Sequence, residues 1–292
     1  MCSYCLERTN LFPSMKLYRT EHGILLEKED QYYRLHETNW DVVVNRDDLY
    51  NWLVTQTESL LLLPFNDSSP MPEVLTPVGT QEVWASGVTY YRSREARMEE
   101  SEKAGGGSFY DRVYSAERPE LFFKSNAWRV VGDSGHVRIR KDSGWDVPEP
   151  ELTLFATSSG KLVGYTIGND MSSRSIEGEN PLYLPQAKSY RGSAALGPCL
   201  YVSEEPLSDE TEINIAITRG GEEVFGNTVT LSQMKRKPEE LLGFLFRELD
   251  FPQGVYLMTG TGIIPPSEFT LKSGDKIIIT IEPIGTLVNT VE

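Results

Sequence analysis

Short runs of alternating apolar and polar residues open the patterned part of the chain. Lys16-Leu17-Tyr18-Arg19 and Gly23-Ile24-Leu25-Leu26 suit half-buried strands, and a short helix beginning at Asp47-Asp48 carries Leu49, Trp52 and Leu53 on one side. Pro64 to Pro77 holds four prolines around Asn66-Asp67-Ser68 and reads as a linker. From 89 to 103 Arg and Glu dominate with little apolar period, and Gly105-Gly106-Gly107 follows, the pattern of an exposed, mobile helix and loop. Strand-like segments then alternate with turns: Leu121–Phe123, Val137–Arg140, Leu152–Phe155, Leu162–Ile167, Ile213–Thr218 and Lys276–Ile281. One clear helix intervenes, opened by Pro238-Glu239-Glu240 and carrying Leu241, Leu242, Phe244, Leu245 and Leu249. The pattern predicts an α+β, predominantly β chain without internal repeats. Residues 1–14 read as a disordered extension, 15–75 as a small N-terminal α/β domain and 76–292 as the larger domain.

Composition narrows the partners. The 292 residues include 28 Lys+Arg and 43 Asp+Glu, a formal net charge of −15, which argues against nucleic-acid and anionic-membrane binding. The five Trp are scattered without the basic interleaving of a single-strand binder. The longest apolar run, Leu60–Leu63, is far short of the ~20 residues that span a bilayer. No signal peptide is evident, and the expected address is the cytoplasm. Cys2 and Cys5 form a C-x-x-C without a second pair, read as a functionless terminus rather than half a zinc site, and Cys199 stands alone. Lys235-Arg236-Lys237 reads as a solvated basic cluster. The glycines at 105–107 lack the Lys-Ser/Thr ending of a phosphate loop.

Three carboxylates gather the chemistry. In Pro148-Glu149-Pro150-Glu151 the acids stand at i and i+2, so an extended chain points both to one face. A Ser158-Ser159-Gly160-Lys161 turn and a second strand ending in Gly168-Asn169-Asp170 would return Asp170 beside them. Three convergent carboxylates suit Mg²⁺, Mn²⁺ or Ca²⁺. An acidic, solvated hairpin face explains the spacing equally well.

The same stretches carry a resemblance. Pro148–Leu152, Gly164–Arg174, Gln186-Ala187-Lys188-Ser189, Gly197-Pro198 and Thr259-Gly260-Thr261-Gly262 resemble the fumarylacetoacetate hydrolase family. Glu82–Gly87, Arg118–Lys124 and Glu177–Gln186 are similar to its 2-keto-3-deoxy-D-arabinonate dehydratase branch. The resemblance implies a mixed β-sandwich roll, with Mg²⁺ held by Glu149, Glu151 and Asp170 and chelated by a small 2-keto acid. It also implies loss of water from a 2-keto-3-deoxy sugar acid in pentose catabolism, with 2-keto-3-deoxy-D-arabinonate giving 2,5-dioxopentanoate. Glu120 and Lys188 are then the residues for proton transfer, and Ser86, Tyr90, Lys124 and Thr261 contact substrate. Taken singly, Glu120 reads more readily as a partner for Arg118 and each lysine as a surface charge, and Thr261 reads as a turn residue; the resemblance tips them toward the site.

One departure bears on the reaction. Hydrolytic members carry a His shortly after a Gly-x-Asn-Tyr turn, where this chain has Gly87-Val88-Thr89-Tyr90-Tyr91-Arg92-Ser93, with Ser93 at the His position. Ser175 likewise stands where the family commonly has Asp. The expected activity is therefore a lyase, a metal-dependent dehydratase. An acylpyruvate hydrolase, an oxaloacetate decarboxylase and a non-catalytic keto-acid-binding protein are the alternatives. The resemblance suggests a homodimer or homotetramer.

Overall fold

The computed structural model describes residues 14–65, 70–92 and 113–292. The Cys2/Cys5 pair, the Asn66-Asp67-Ser68 stretch, Ser93 and the triple glycine lie outside those residues, as does all but residue 14 of the expected extension.

The longer strands are β1 (Met15–Thr20), β2 (Gly23–Lys28), β3 (Gln31–Arg34), β4 (Glu82–Gly87), β5 (Glu120–Asn126), β6 (Pro150–Ala156) and β7 (Leu162–Asp170). They continue with β8 (Ala194–Val202), β9 (Glu212–Arg219), β10 (Glu222–Thr230), β11 (Val255–Met258), β12 (Lys276–Ile281) and β13 (Gly285–Val291). The α-helices used below are α1 (Trp40–Val44), α2 (Leu49–Thr57), α3 (Arg174–Glu179), α4 (Leu184–Lys188) and α5 (Pro238–Leu245). One sheet runs β3-β2-β1-β8-β7-β6-β11-β4-β5, and a smaller one runs β10-β9-β12-β13, with His136–Val137 beside β13. Predominantly β architecture is thus observed.

Isoleucines at alternate positions explain why the sheets face each other. Ile213, Ile215 and Ile217 on β9 and Ile277, Ile279 and Ile281 on β12 share one core with Leu152, Leu154 and Ile167. Burying each such side chain is worth about 1.5–3 kcal/mol. On the opposite face of the larger sheet, Trp40, Val43, Leu49 and Leu53 from α1 and α2 pack with Leu17, Phe155, Leu200 and Tyr256. Strand β6 is consequently buried along its whole length. The acids at its start therefore stand on a fixed backbone.

The N-terminal unit is continuous with this sheet, because β1 pairs with β8 through Met15↔Val202 and Leu17↔Leu200. The end of the proposed linker is paired too, with Arg19↔Leu75 and Thr20↔Val74. Asp47 does not cap α2; it accepts from the hydroxyls of Thr157 (2.5 Å) and Ser159 (2.8 Å), tying the helices to the β6–β7 turn.

Three sequence expectations need correction. The strand expected at Val137–Arg140 is only His136–Val137, because β13 ends at Val291 and the Arg138 N–H turns to Gly192 O at 2.9 Å. Helix α5 stops at Leu245, so Leu249 lies beyond it and is exposed. The Phe246 and Phe251 rings meet edge to face at 5.1 Å, folding the chain back. Arg236 is buried rather than solvated: its guanidinium donates to the carbonyls of Val113 (3.2 Å), Ala116 (2.6 Å) and Glu117 (3.0 Å) and pairs with Glu240. A planar fork of donors satisfies such a set where a solvated lysine would not. Among the described residues no helix is long and apolar enough to cross a membrane.

Candidate active site

The β6–β7 hairpin sets the acidic cluster. Glu149 and Asp170 stand directly opposite and exchange both backbone hydrogen bonds, Glu149 N–H to Asp170 O at 3.2 Å and Asp170 N–H to Glu149 O at 2.9 Å. Pro150 then faces Asn169, where the ladder needs no N–H, and Glu151 faces Gly168. One oxygen from each of Glu149, Glu151 and Asp170 lies within 4.8 Å of the others, and all three residues are buried. The Gly260 N–H donates to Glu151 Oε2 at 2.6 Å. Gly260 has φ +90°, and a Cβ there would stand 2.1 Å from Thr89 Oγ1, so only glycine brings this amide so close. Burial, and then the charges of Asp170 and Glu149, push the Glu151 carboxyl well above the usual carboxylate range.

Three buried cations surround the acids. Lys188, the last residue of α4, donates to Glu149 Oε2 (2.6 Å), Asp170 Oδ2 (3.0 Å) and Ser172 Oγ (2.6 Å), with Glu177 Oε1 at 3.4 Å. Arg174 opens α3, whose N-cap Ser173 accepts from the Ile176 N–H, and it donates to Glu149 Oε1 at 2.7 Å. Its other nitrogen lies 3.5 Å from Glu177 Oε2. Lys124 on β5 pairs with Asp170 Oδ1 and donates to Met171 O (2.9 Å) and Lys188 O (2.5 Å). Burial holds the Lys124 ammonium below its ordinary range, while the Asp170 charge pulls it the other way. Glu149, Glu151, Asp170 and Glu177 against Lys124, Lys188 and Arg174 leave the buried cluster, taken as ionised, one positive charge short.

A cleft opens on this cluster. Glu149, Asp170, Lys188, Ser86 and Thr261 all line it. The Ser86 hydroxyl donates to Glu120 O at 3.0 Å, and the Thr261 hydroxyl is engaged with Ile263, donating to its O at 3.3 Å and accepting from its N–H at 3.1 Å. Glu120 starts β5 opposite Gly87, another lining residue. A Cβ on Gly87 would lie 2.1 Å from Glu120 Oε2, so the carboxyl rests directly over the glycine at the cleft wall. Glu120, Glu151, Tyr90 and Lys124 are outside the lining, Glu120 against Gly87 and Glu151 against the Gly260 N–H, both of which line it. The Tyr90 ring is buried against Gly262, with its hydroxyl raised by burial and the Glu151 charge, and Lys124 stands behind Asp170. Sequence reasoning gave no role to Arg174 and Glu177. Their i, i+3 spacing, where one matched stretch ends and the next begins, was the available signal.

An all-oxygen, buried donor set with an unbalanced negative charge fits a hard divalent cation.

Residues 114–292 match the fumarylacetoacetate (FAA) hydrolase C-terminal family. The chain is 46% identical over 217 residues to a protein of Haloferax volcanii named probable 2-keto-3-deoxyxylonate dehydratase, covering 74% of this chain and 73% of that one. It is 42% identical over 221 residues to the 2-dehydro-3-deoxy-D-arabinonate dehydratase of Saccharolobus solfataricus, covering 75% and 74%. A solved 2-keto-3-deoxy-D-arabinonate dehydratase complexed with magnesium and 2,5-dioxopentanoate superimposes with a TM-score of 0.79 at 32% identity, over 96% of this chain and 98% of that one.

Proposed function

The chain belongs to the fumarylacetoacetate hydrolase family, and from that premise we propose that it is a Mg²⁺-dependent dehydratase converting a 2-keto-3-deoxy pentonate to 2,5-dioxopentanoate and water. The names of the two relatives point to one substrate skeleton, because xylonate and arabinonate of one series differ only at C2 and C3. A 2-keto-3-deoxy acid has lost both of those centres. The observation that carries the reading is the buried Glu149–Glu151–Asp170 cluster with Lys188 against it.

Glu149, Glu151 and Asp170 would hold the cation, which when bound supplies Lewis acidity at the keto oxygen. Glu120 takes the C3 proton from its place over Gly87, and Lys188, whose ammonium has three donors and no acceptor, protonates the departing C4 hydroxyl. The elimination leaves a C3–C4 enone with its hydroxyl on C5. Moving a C5 proton to C3 gives a C4–C5 enol, whose ketonisation yields the aldehyde. Ser86 holds the Glu120 backbone through its carbonyl, and Thr261 forms part of the wall against which substrate lies. The reading includes a cytoplasmic homodimer or homotetramer, checked by light scattering of the purified protein.

Incubation with Mg²⁺ and 2-keto-3-deoxy-pentonate, followed by aldehyde detection, is the direct test. Consumption that stops with chelator supports the reading, and no consumption of either C4 epimer refutes it. In the same assay Glu120→Gln is expected to lower kcat by about 10²–10⁴, the usual range for a lost acid–base group. Gly87→Ala should also lower kcat, by about tenfold or more, because misplacing a reacting group by an ångström costs up to about 10². Wild-type rates in both variants would remove Glu120 from the mechanism.

A further inference from the structure

We infer that Val88 limits the length of the substrate tail, its side chain held in the cleft by a backbone conformation that valine disfavours. This rests on the reading of the cleft as a 2-keto-3-deoxy acid site. Val88 has φ +54°, in the left-handed region where a β-branched residue is an outlier. It is 5% exposed and lines the cleft. A glycine stands one position earlier, where it gives clearance to the Glu120 carboxyl, so the residue suited to a left-handed backbone is not at the position that adopts one.

The flanks impose this conformation. On one side the Ser86 hydroxyl is tied to Glu120 O at 3.0 Å. On the other the Thr89 hydroxyl donates to Thr259 O at 2.7 Å and Thr89 O accepts from the Lys235 N–H at 2.9 Å. Backbone outliers persist where the surroundings over-determine them, and they concentrate at sites that use them.

The chemistry of the wall gives the consequence. The ionic side chains of the cleft suit the carboxylate and keto end of a 2-keto acid. Val88, Phe122 and Ile264 are the apolar side chains of the lining, and none offers a hydrogen bond to a hydroxylated tail. A six-carbon acid adds one carbon and one hydroxyl. Pressed against the isopropyl group, that hydroxyl loses water without a replacement partner, so the longer acid is rejected.

The test compares wild type, Val88→Ala and Val88→Gly on 2-keto-3-deoxy-pentonate and 2-keto-3-deoxy-hexonate. We expect the hexonate-to-pentonate ratio of kcat/KM to rise at least tenfold in both variants, within the range for discrimination by a methylene-sized group. We also expect Val88→Gly to melt above Val88→Ala, because alanine keeps the left-handed penalty and glycine does not. An unchanged ratio in both variants, with the pentonate still consumed, overturns the inference alone. The reverse order of melting overturns the strained placement and the inference with it. If wild type consumes neither acid, the functional reading fails and this inference falls with it.

Discussion

Replacing Lys188 with Met is expected to destabilise the metal-free protein strongly and to lower turnover by about 10²–10⁴. Lys188 is fully buried, and its ammonium donates to Glu149, Asp170 and Ser172. Methionine nearly matches its bulk, so packing changes little and the effect isolates the charge. Removing one partner of a buried ion pair costs about 3–5 kcal/mol, because the remaining charges stay buried without compensation. At about 2–4 °C per kcal/mol for a chain of this class, the melting temperature falls by about 6–20 °C. Here four carboxyl groups, with the Glu151 proton held tightly, are left against Arg174 and Lys124 alone. A divalent cation replaces part of the lost positive charge, so saturating Mg²⁺ should recover much of the melting temperature, up to about 4 kcal/mol at a thousandfold excess over Kd. It should not recover turnover, because a cation held by the carboxylates does not replace the donor to the C4 hydroxyl. Calorimetry with and without Mg²⁺, beside the aldehyde assay, checks both halves. A variant that melts and turns over like wild type would show that the Lys188 pairs are incidental.

Which parts of this site were readable in the chain follows from the range of the interactions. Glu149 and Glu151 are two apart on a strand, and Asp170 returns through one hairpin, so local pattern and a single turn suffice to bring them together. The lysines are different. Lys188 and Lys124 look like surface charges in isolation, and only pairing across 64 residues, Lys124 Nζ to Lys188 O, shows both to be interior. Arg174 and Glu177 sit on a six-residue helix with no amphipathic period to mark it. Among the strands, β9 and β12 announce themselves by alternating isoleucines, whereas β8 contains Gly197-Pro198 and β10 is a largely exposed edge strand. Turn and solvent-facing residues hide such strands from a periodicity argument. The joining of β1 to β8 pairs Met15 with Val202, a contact far apart in the chain that no local pattern records. Val88 went unread for the opposite reason: local propensity argues against the conformation it adopts.

Glu151→Gln separates the structural from the functional meaning of the acidic cluster. The neutral amide keeps an acceptor for the Gly260 N–H, which donates to Glu151 at 2.6 Å, so the local fold should survive. In the metal-free protein the Glu151 carboxyl is raised well above 4.5, first by burial and then by Asp170 and Glu149. The folded protein therefore binds this proton more tightly than the unfolded chain does. The resulting stability is fully present below the unfolded pKa and is lost as pH rises through the folded one. Metal-free wild type should accordingly lose melting temperature over that window, and Glu151→Gln, with nothing to titrate there, should lose less. Cation binding has the opposite sign, since the ion competes with the proton for the same carboxylate. The stabilisation of wild type by Mg²⁺ should grow with pH across the window, and in the variant it should be small at every pH. Lewis-acid stabilisation is worth several kcal/mol, and about 4 kcal/mol corresponds to about 10³ in rate, so turnover should fall by at least that factor. A variant that keeps the wild-type Mg²⁺ shift would exclude Glu151 as a ligand. If it loses that shift but still turns substrate over at the wild-type rate, the cation has no part in the reaction.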